Sequence, residues 1–174
     1  MHLTLSSCAV RSWRASDLDS LVTYANNHKI WINLRDAFPH PYTRKDGRAF
    51  IRRALGQSPQ TMFAIATGDE ADEAVGGIGY SPHQDVERVS AEIGYWLAEP
   101  FWGRGIMSEA LAAVTAHAIK THHLTRLYAV PFAWNPASCR VLEKAGYVLE
   151  ARLRHSAMKN GQLIDQLQYA YVAE

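Results

Sequence analysis

The run Trp102-Gly103-Arg104-Gly105-Ile106-Met107-Ser108 sets two glycines either side of an arginine, directly ahead of an apolar pattern of helical period. Glycine gives up packing and costs backbone entropy, so two of them at a helix start mark either a tight turn or a backbone that something approaches closely. The first turn of a helix leaves N–H groups free at the positive end of its dipole, and a loop of this kind suits a phosphate or pyrophosphate. Arg104 supplies a charge-assisted donor, or stands solvated as loop arginines often do. A second chemical candidate is Glu92, a carboxylate within the apolar run from Ser90 to Leu97. An inward carboxylate there is costly without a partner or a task. Alternation puts Glu92, Gly94 and Trp96 on one sheet face, so Glu92 is either a proton acceptor or part of a wetter face.

The glycine loop fits neither common nucleotide pattern. A P-loop needs Lys-Ser/Thr after its last glycine, where this chain has Ile106 and Met107, and a dinucleotide fingerprint needs a third glycine where Ser108 stands. Cys139 reads as a small buried hydrophobe in an apolar helix rather than a nucleophile. His117, His122 and His123 lack metal-ligand spacing and a carboxylate companion, so no metal is expected and solvated histidines near a helix end are the simpler reading.

These residues need elements to hold them. The chain has 174 residues, 48% hydrophobic and 20% charged, with a formal net charge of +1. That is enough for one substantial core, and no Gly-, Ser- or Pro-rich stretch divides it, so a single domain over residues 1–174 is expected. The charge balance offers no bulk attraction to nucleic acid or anionic membrane. Two cysteines make no disulfide framework, and the opening residues show no basic region followed by a signal-like apolar run, which points to a cytoplasmic protein.

The period of hydrophobicity predicts a strand near Leu3 to Arg11 and a helix over Asp17 to Asn27 capped by Ser16. A loop with Pro39 and Pro41 follows, then a helix opened by a Thr43/Asp46 capping box. Three antiparallel strands come next, then a helix whose apolar face is Ile106, Ala110, Val114 and Ala118, widened by Met107 and Leu111. After a strand near Arg126 to Phe132, Asn135 as N-cap, Pro136 at the first helical position and Gly146 just past the end frame another helix. A hairpin turning at Asn160 and Gly161 closes the chain. The expected class is an α/β domain with a mixed, mostly antiparallel sheet flanked by helices.

The stretch Glu92 to Ala110 resembles the strand, acyl-CoA loop and helix of the GCN5-related N-acetyltransferases (GNATs), whose signature is [QR]-x-x-G-x-[GA]. More narrowly it is similar to their ribosomal-protein N-acetyltransferase branch, as is the run Asn135 to His155. Trp102 replaces Gln or Arg in the signature, and Met107 replaces Gly or Ala.

The resemblance implies acetyl-CoA as cosubstrate, contacted by Trp96, Leu97, Trp102, Gly103, Arg104, Gly105, Ile106, Met107, Ser108 and Asn135. The loop chemistry depends on main-chain N–H groups, which any residue but proline supplies. In this light Glu92 is the candidate base, acting directly or through water. Ser138 becomes the candidate acid, because the branch often has serine three residues after the asparagine; a first-turn cap is its other role. Asn135 is an N-cap, a pantetheine ligand or both. The tyrosine used by many family members would fall at Leu142, so that mechanism does not transfer. The resemblance also sets Trp31, Phe38 and Tyr42, in the segment between the first two helices, beside the acceptor; anchoring that loop on the core is their alternative role.

The implied activity is direct transfer of an acetyl group to a primary amine, either a protein N-terminal α-amine or a small-molecule amine. The competing function is a catalytically silent acyl-CoA-binding or sensor module. Expected partners are acetyl-CoA and the amine acceptor, with no nucleic acid or membrane, in a monomer or homodimer.

Overall fold

The computed structural model describes residues 1–68 and 71–173. Eight strands form one sheet in the order β1-β2-β3-β4-β5-β6-β8-β7. The expected first strand is two: β1 (His2–Thr4) and β2 (Ala9–Ser12), paired antiparallel with Leu3 opposite Val10. The turn between them is fixed from a distance. Ser6 and Ser7 give their N–H and hydroxyl groups to the carboxylate of Glu109, a partner that local sequence does not reveal.

A 3₁₀ turn, Ala15–Asp17, leads into α1 (Leu18–Ala25), and Asp17 rather than Ser16 is the N-cap residue. Asp17 turns inward to meet Arg11 through two hydrogen bonds of 2.8 and 2.9 Å, with both side chains 2% exposed. A short helix not anticipated from sequence, α2 (His28–Trp31), is capped by Asn27. The helix α3 (Arg44–Gly56) carries the expected Thr43/Asp46 capping box.

Strands β3 (Met62–Thr67), β4 (Glu73–Pro82) and β5 (Ser90–Leu97) form an antiparallel meander. Gly77 on β4 is required by packing, because a Cβ there would lie 2.7 Å from the indole nitrogen of Trp96. From β5 the chain crosses over through α4 (Ile106–His122) to β6 (Arg126–Ala129), which pairs parallel with β5. All six residues of the predicted apolar face of α4 are buried. The helix α5 (Pro136–Lys144) and the hairpin β7 (Val148–Lys159) and β8 (Gln162–Val172) follow, turning at Asn160 and Gly161 with φ of 49° and 75°.

Core side chains fill both faces of the sheet. Val10, Ile65, Val75, Ile93, Leu111, Leu127 and Leu142 belong to one cluster with α4 and α5, while Trp13, Leu21, Tyr42, Ile51 and Ala54 belong to the other with α1 and α3. Among the described residues no helix is long and apolar enough to cross a membrane.

The parallel junction in the middle of the sheet is short. The strands β5 and β6 pair only from Ser90 to Glu92 against Arg126 to Tyr128, and β6 ends at Ala129 while β5 runs on to Leu97. Past Glu92 the sheet therefore opens, and the β6-side edge of β5 is left for another partner.

Candidate active site

A cleft of about 1310 Å³ lies at that opening, lined by β4, β5, the glycine loop, α5 and the loop after α2. It exceeds what one drug-sized ligand usually occupies. Its floor is built from main chain. Gly103 and Gly105 have φ of 76° and 80°, in the left-handed region, and a Cβ at either would meet nothing within 4 Å. Gly105 is the N-cap of α4 and brings no side chain, so the first-turn N–H groups lack the cover that Thr43 gives α3 and Asn135 gives α5. Open space over uncapped donors at a positive dipole end fits an anionic group such as a pyrophosphate.

The two departures from the family signature have local explanations. Trp102 donates its indole N–H to the Leu97 carbonyl at 2.7 Å, tying the loop back to the end of β5. Met107, in the first turn of α4, is buried, so its side chain packs into the core while its backbone belongs to the helix start. Arg104 is exposed, with its guanidinium carbon 5.3 Å from the centroid of the Phe101 ring, and it does not line the cleft.

Glu92 lies where β5 is still paired on both sides, opposite Ser81 and Tyr128. Its carboxylate forms an ion pair with Arg35 from the loop after α2. An inward carboxylate needs a partner or a task, and Arg35 is a partner that local sequence does not reveal. Phe38 and Tyr42 line the same cleft, with Phe38 against Tyr42 and Trp96 at ring separations of 5.1 and 5.9 Å. Trp31 stands apart from the cleft, stacked on His40 and contacted by Lys159.

On α5, Asn135 Oδ1 accepts from the Ser138 N–H at 3.2 Å, so the capping role falls to Asn135, which also lines the cleft. The Ser138 hydroxyl does something else: it meets the Tyr95 hydroxyl at 2.9 Å. Burial pushes the Tyr95 phenol well above its ordinary range, so Tyr95 stays protonated near neutrality. Strand alternation sends Glu92 and Tyr95 to opposite faces of β5, so a carboxylate and a hydroxyl pair flank the cleft from two sides.

Cys139 is buried, and burial raises its thiol pKa, which leaves it a poor nucleophile. Leu142 is fully buried in the core. His122 and Tyr80 are joined through Nε2 and the hydroxyl at 3.1 Å, and His117 packs edge-on against Phe63, so both side chains tie α4 to the sheet.

The sequence profile of the acetyltransferase (GNAT) domain matches residues 9–148. The chain belongs to that family. This GNAT chain is 33% identical over 113 residues to the ribosomal-protein-serine acetyltransferase of Escherichia coli (strain K12), a match spanning 65% of the chain and 61% of that enzyme. It is 32% identical over 158 residues to the uncharacterized N-acetyltransferase p20 of Bacillus licheniformis, covering 90% of this chain and 87% of that one. In fold it matches a solved structure of RimL, a ribosomal L7/L12 alpha-N-protein acetyltransferase in complex with coenzyme A. The TM-score is 0.85 at 23% identity, over 99% of this chain and 98% of that chain.

Proposed function

We propose that this GNAT protein is an acetyl-CoA-dependent N-acetyltransferase in which a primary amine attacks the thioester directly. The observation that carries the reading is the opened β5 edge lying between the uncapped, glycine-led start of α4 and, on opposite faces of β5, the Glu92 carboxylate and the Ser138–Tyr95 hydroxyl pair. In this reading the N–H groups from Gly103 to Ser108 hold the pyrophosphate, and the β6-side edge of β5 from Ile93 to Leu97 pairs with the amide-bearing arm of the cofactor. Asn135 borders that arm.

Glu92 accepts the proton that the amine must lose, directly or through water, once the incoming cation competes with Arg35 for the carboxylate. Ser138 supplies the proton that the departing sulfur takes up. Phe38 and Tyr42 form the apolar acceptor wall. The likeness to a ribosomal-protein-serine acetyltransferase favours a protein N-terminal α-amine as acceptor. Chemistry agrees, because about a tenth of an α-amine is neutral at pH 7, against roughly one lysine in a few thousand, so a modest base suffices.

The deciding experiment is release of free thiol from acetyl-CoA across a panel of N-terminal peptides and small amines. Turnover with any acceptor is the expected result. Tight acetyl-CoA binding with no release from any acceptor would instead make the chain a binding module.

A further inference from the structure

Ser138 alone is an indifferent acid. A serine hydroxyl in the first turn of a helix rotates freely and readily donates to a nearby backbone carbonyl, which turns its proton away from a ligand. Here the hydroxyl of Tyr95, arriving from β5 across the opened sheet, stands 2.9 Å from Ser138 Oγ and 3.4 Å from the Ser138 carbonyl oxygen. The tyrosine ring is itself fixed, packed against the core beneath α4 and α5. Burial keeps the phenol protonated, so it has a proton to give to Ser138 Oγ and is not the source of the transferred proton.

We propose that Tyr95 is a positioning residue for the acid step: by donating to Ser138 Oγ it occupies one lone pair and leaves the serine proton aimed into the cleft. This rests on the acetyl-transfer reading above. In the step, the carbon–sulfur bond breaks with its electron pair on sulfur, and the Ser138 proton goes to that sulfur. The acceptor nitrogen gives one proton to Glu92 before attack and sheds a second as the amide forms; that second proton restores the Ser138 hydroxyl, so no outside acid is consumed. Tyr95 ends the step unchanged. Local sequence does not reveal this role, because the serine that Tyr95 meets lies 43 positions away on an element whose docking is a tertiary event.

The test uses the full chain with an acceptor found by the panel, and compares Tyr95→Phe, Ser138→Ala and the double variant. Phenylalanine keeps the ring packing and removes only the hydroxyl. The inference expects Tyr95→Phe to lower kcat by roughly tenfold or more, with acetyl-CoA affinity unchanged by calorimetry and the fold intact at the assay temperature. The double variant should be no slower than Ser138→Ala, because Tyr95 acts only through Ser138. Unchanged kcat in Tyr95→Phe overturns the proposal, as does the same fractional loss in both backgrounds. A loss that follows weakened cofactor binding or thermal stability also overturns it, leaving Tyr95 a mere tie between α5 and β5. If Ser138→Ala is fully active, the acid assignment falls and this inference with it. If the wild type acetylates nothing, the functional reading itself fails; if it turns over, Ser138→Ala is slow and Tyr95→Phe is normal, only the role of Tyr95 is lost.

Discussion

Lys159 Nζ, at the far end of β7, lies 2.8 Å from Oδ1 of Asp36 in the loop after α2. The lysine side chain is 1% exposed, and its ammonium also sits 4.0 Å from the centre of the Trp31 ring. Burying an ammonium costs several kcal/mol before its partners repay it, so such a contact is better suited to fixing a geometry than to raising stability. What it fixes is the segment carrying Arg35, the residue next to Asp36 and the ion-pair partner of Glu92. Trp31 therefore takes part in holding that segment, through Lys159 and the ring of His40.

Replacing that ammonium with an apolar chain of similar length tests this arrangement. Lys159→Met should raise the acceptor KM by about tenfold while leaving acetyl-CoA affinity unchanged, as steady-state kinetics and calorimetry will read. An unchanged KM would mean that the loop holds its place without the latch.

The cradle prediction concerns Gly105. With φ at 80°, Gly105→Ala introduces roughly 1 kcal/mol of backbone strain and a methyl group at the mouth of the loop. Acetyl-CoA affinity should fall by about tenfold or more, against no more than about threefold for Arg104→Ala, which removes an exposed charge. Equal losses in the two variants would argue against a main-chain cradle.

Glu92→Gln separates base from structure. The variant keeps the shape but cannot take a proton, so kcat/KM should drop by about 10²-fold near neutrality. The deficit should shrink as pH rises, because more of the amine arrives neutral. A deficit constant with pH would leave the base unassigned.

Glu109 offers a pH test of folding. Hydrogen bonds from Ser7 and Ser6 hold its carboxyl down at about 2, against an ordinary 4.5. A lowered folded-state value stabilises the protein above the unfolded value, and that stability is lost as pH falls from about 4.5 towards 2. Solvent screening limits the contribution to about 1 kcal/mol. Chemical denaturation at pH 7 and pH 3 should show wild type losing its advantage over Glu109→Gln at the lower pH. A difference between the two proteins that does not change with pH would remove Glu109 as the cause.

Local chemistry made much of this molecule readable from its residues. The Thr43/Asp46 box, the Asn135-Pro136 start, the Asn160-Gly161 turn and the apolar stripe of α4 each act within a few positions, and each appears where its spacing implies. The glycine loop was legible for the same reason. What escaped depends on contacts between distant segments. The turn at Ser6 and Ser7 is closed by Glu109, 103 and 102 positions away. Arg35 finds Glu92 across 57 positions and Lys159 finds Asp36 across 123. No periodicity or capping rule reports such pairs.

The brief parallel junction between β5 and β6 also has a bearing on how the chain assembles during synthesis. Strands β1 to β5 lie in the sheet in the order in which they are made, so their neighbours are already present when residue 97 emerges, while the Glu109 contact that closes the β1–β2 turn and the cover of α4 come later. Strand β6 arrives only after a 17-residue helix, and it joins through three paired positions. Long-range parallel closure is slow and weakly rewarded at its start. The line along which the later-made part of the chain meets the earlier is also the line proposed above for acetyl-CoA, and a cosubstrate bound there would act as a splint across it. Amide hydrogens flanking that line should exchange sooner than those of the meander in the free protein and gain the most protection on loading.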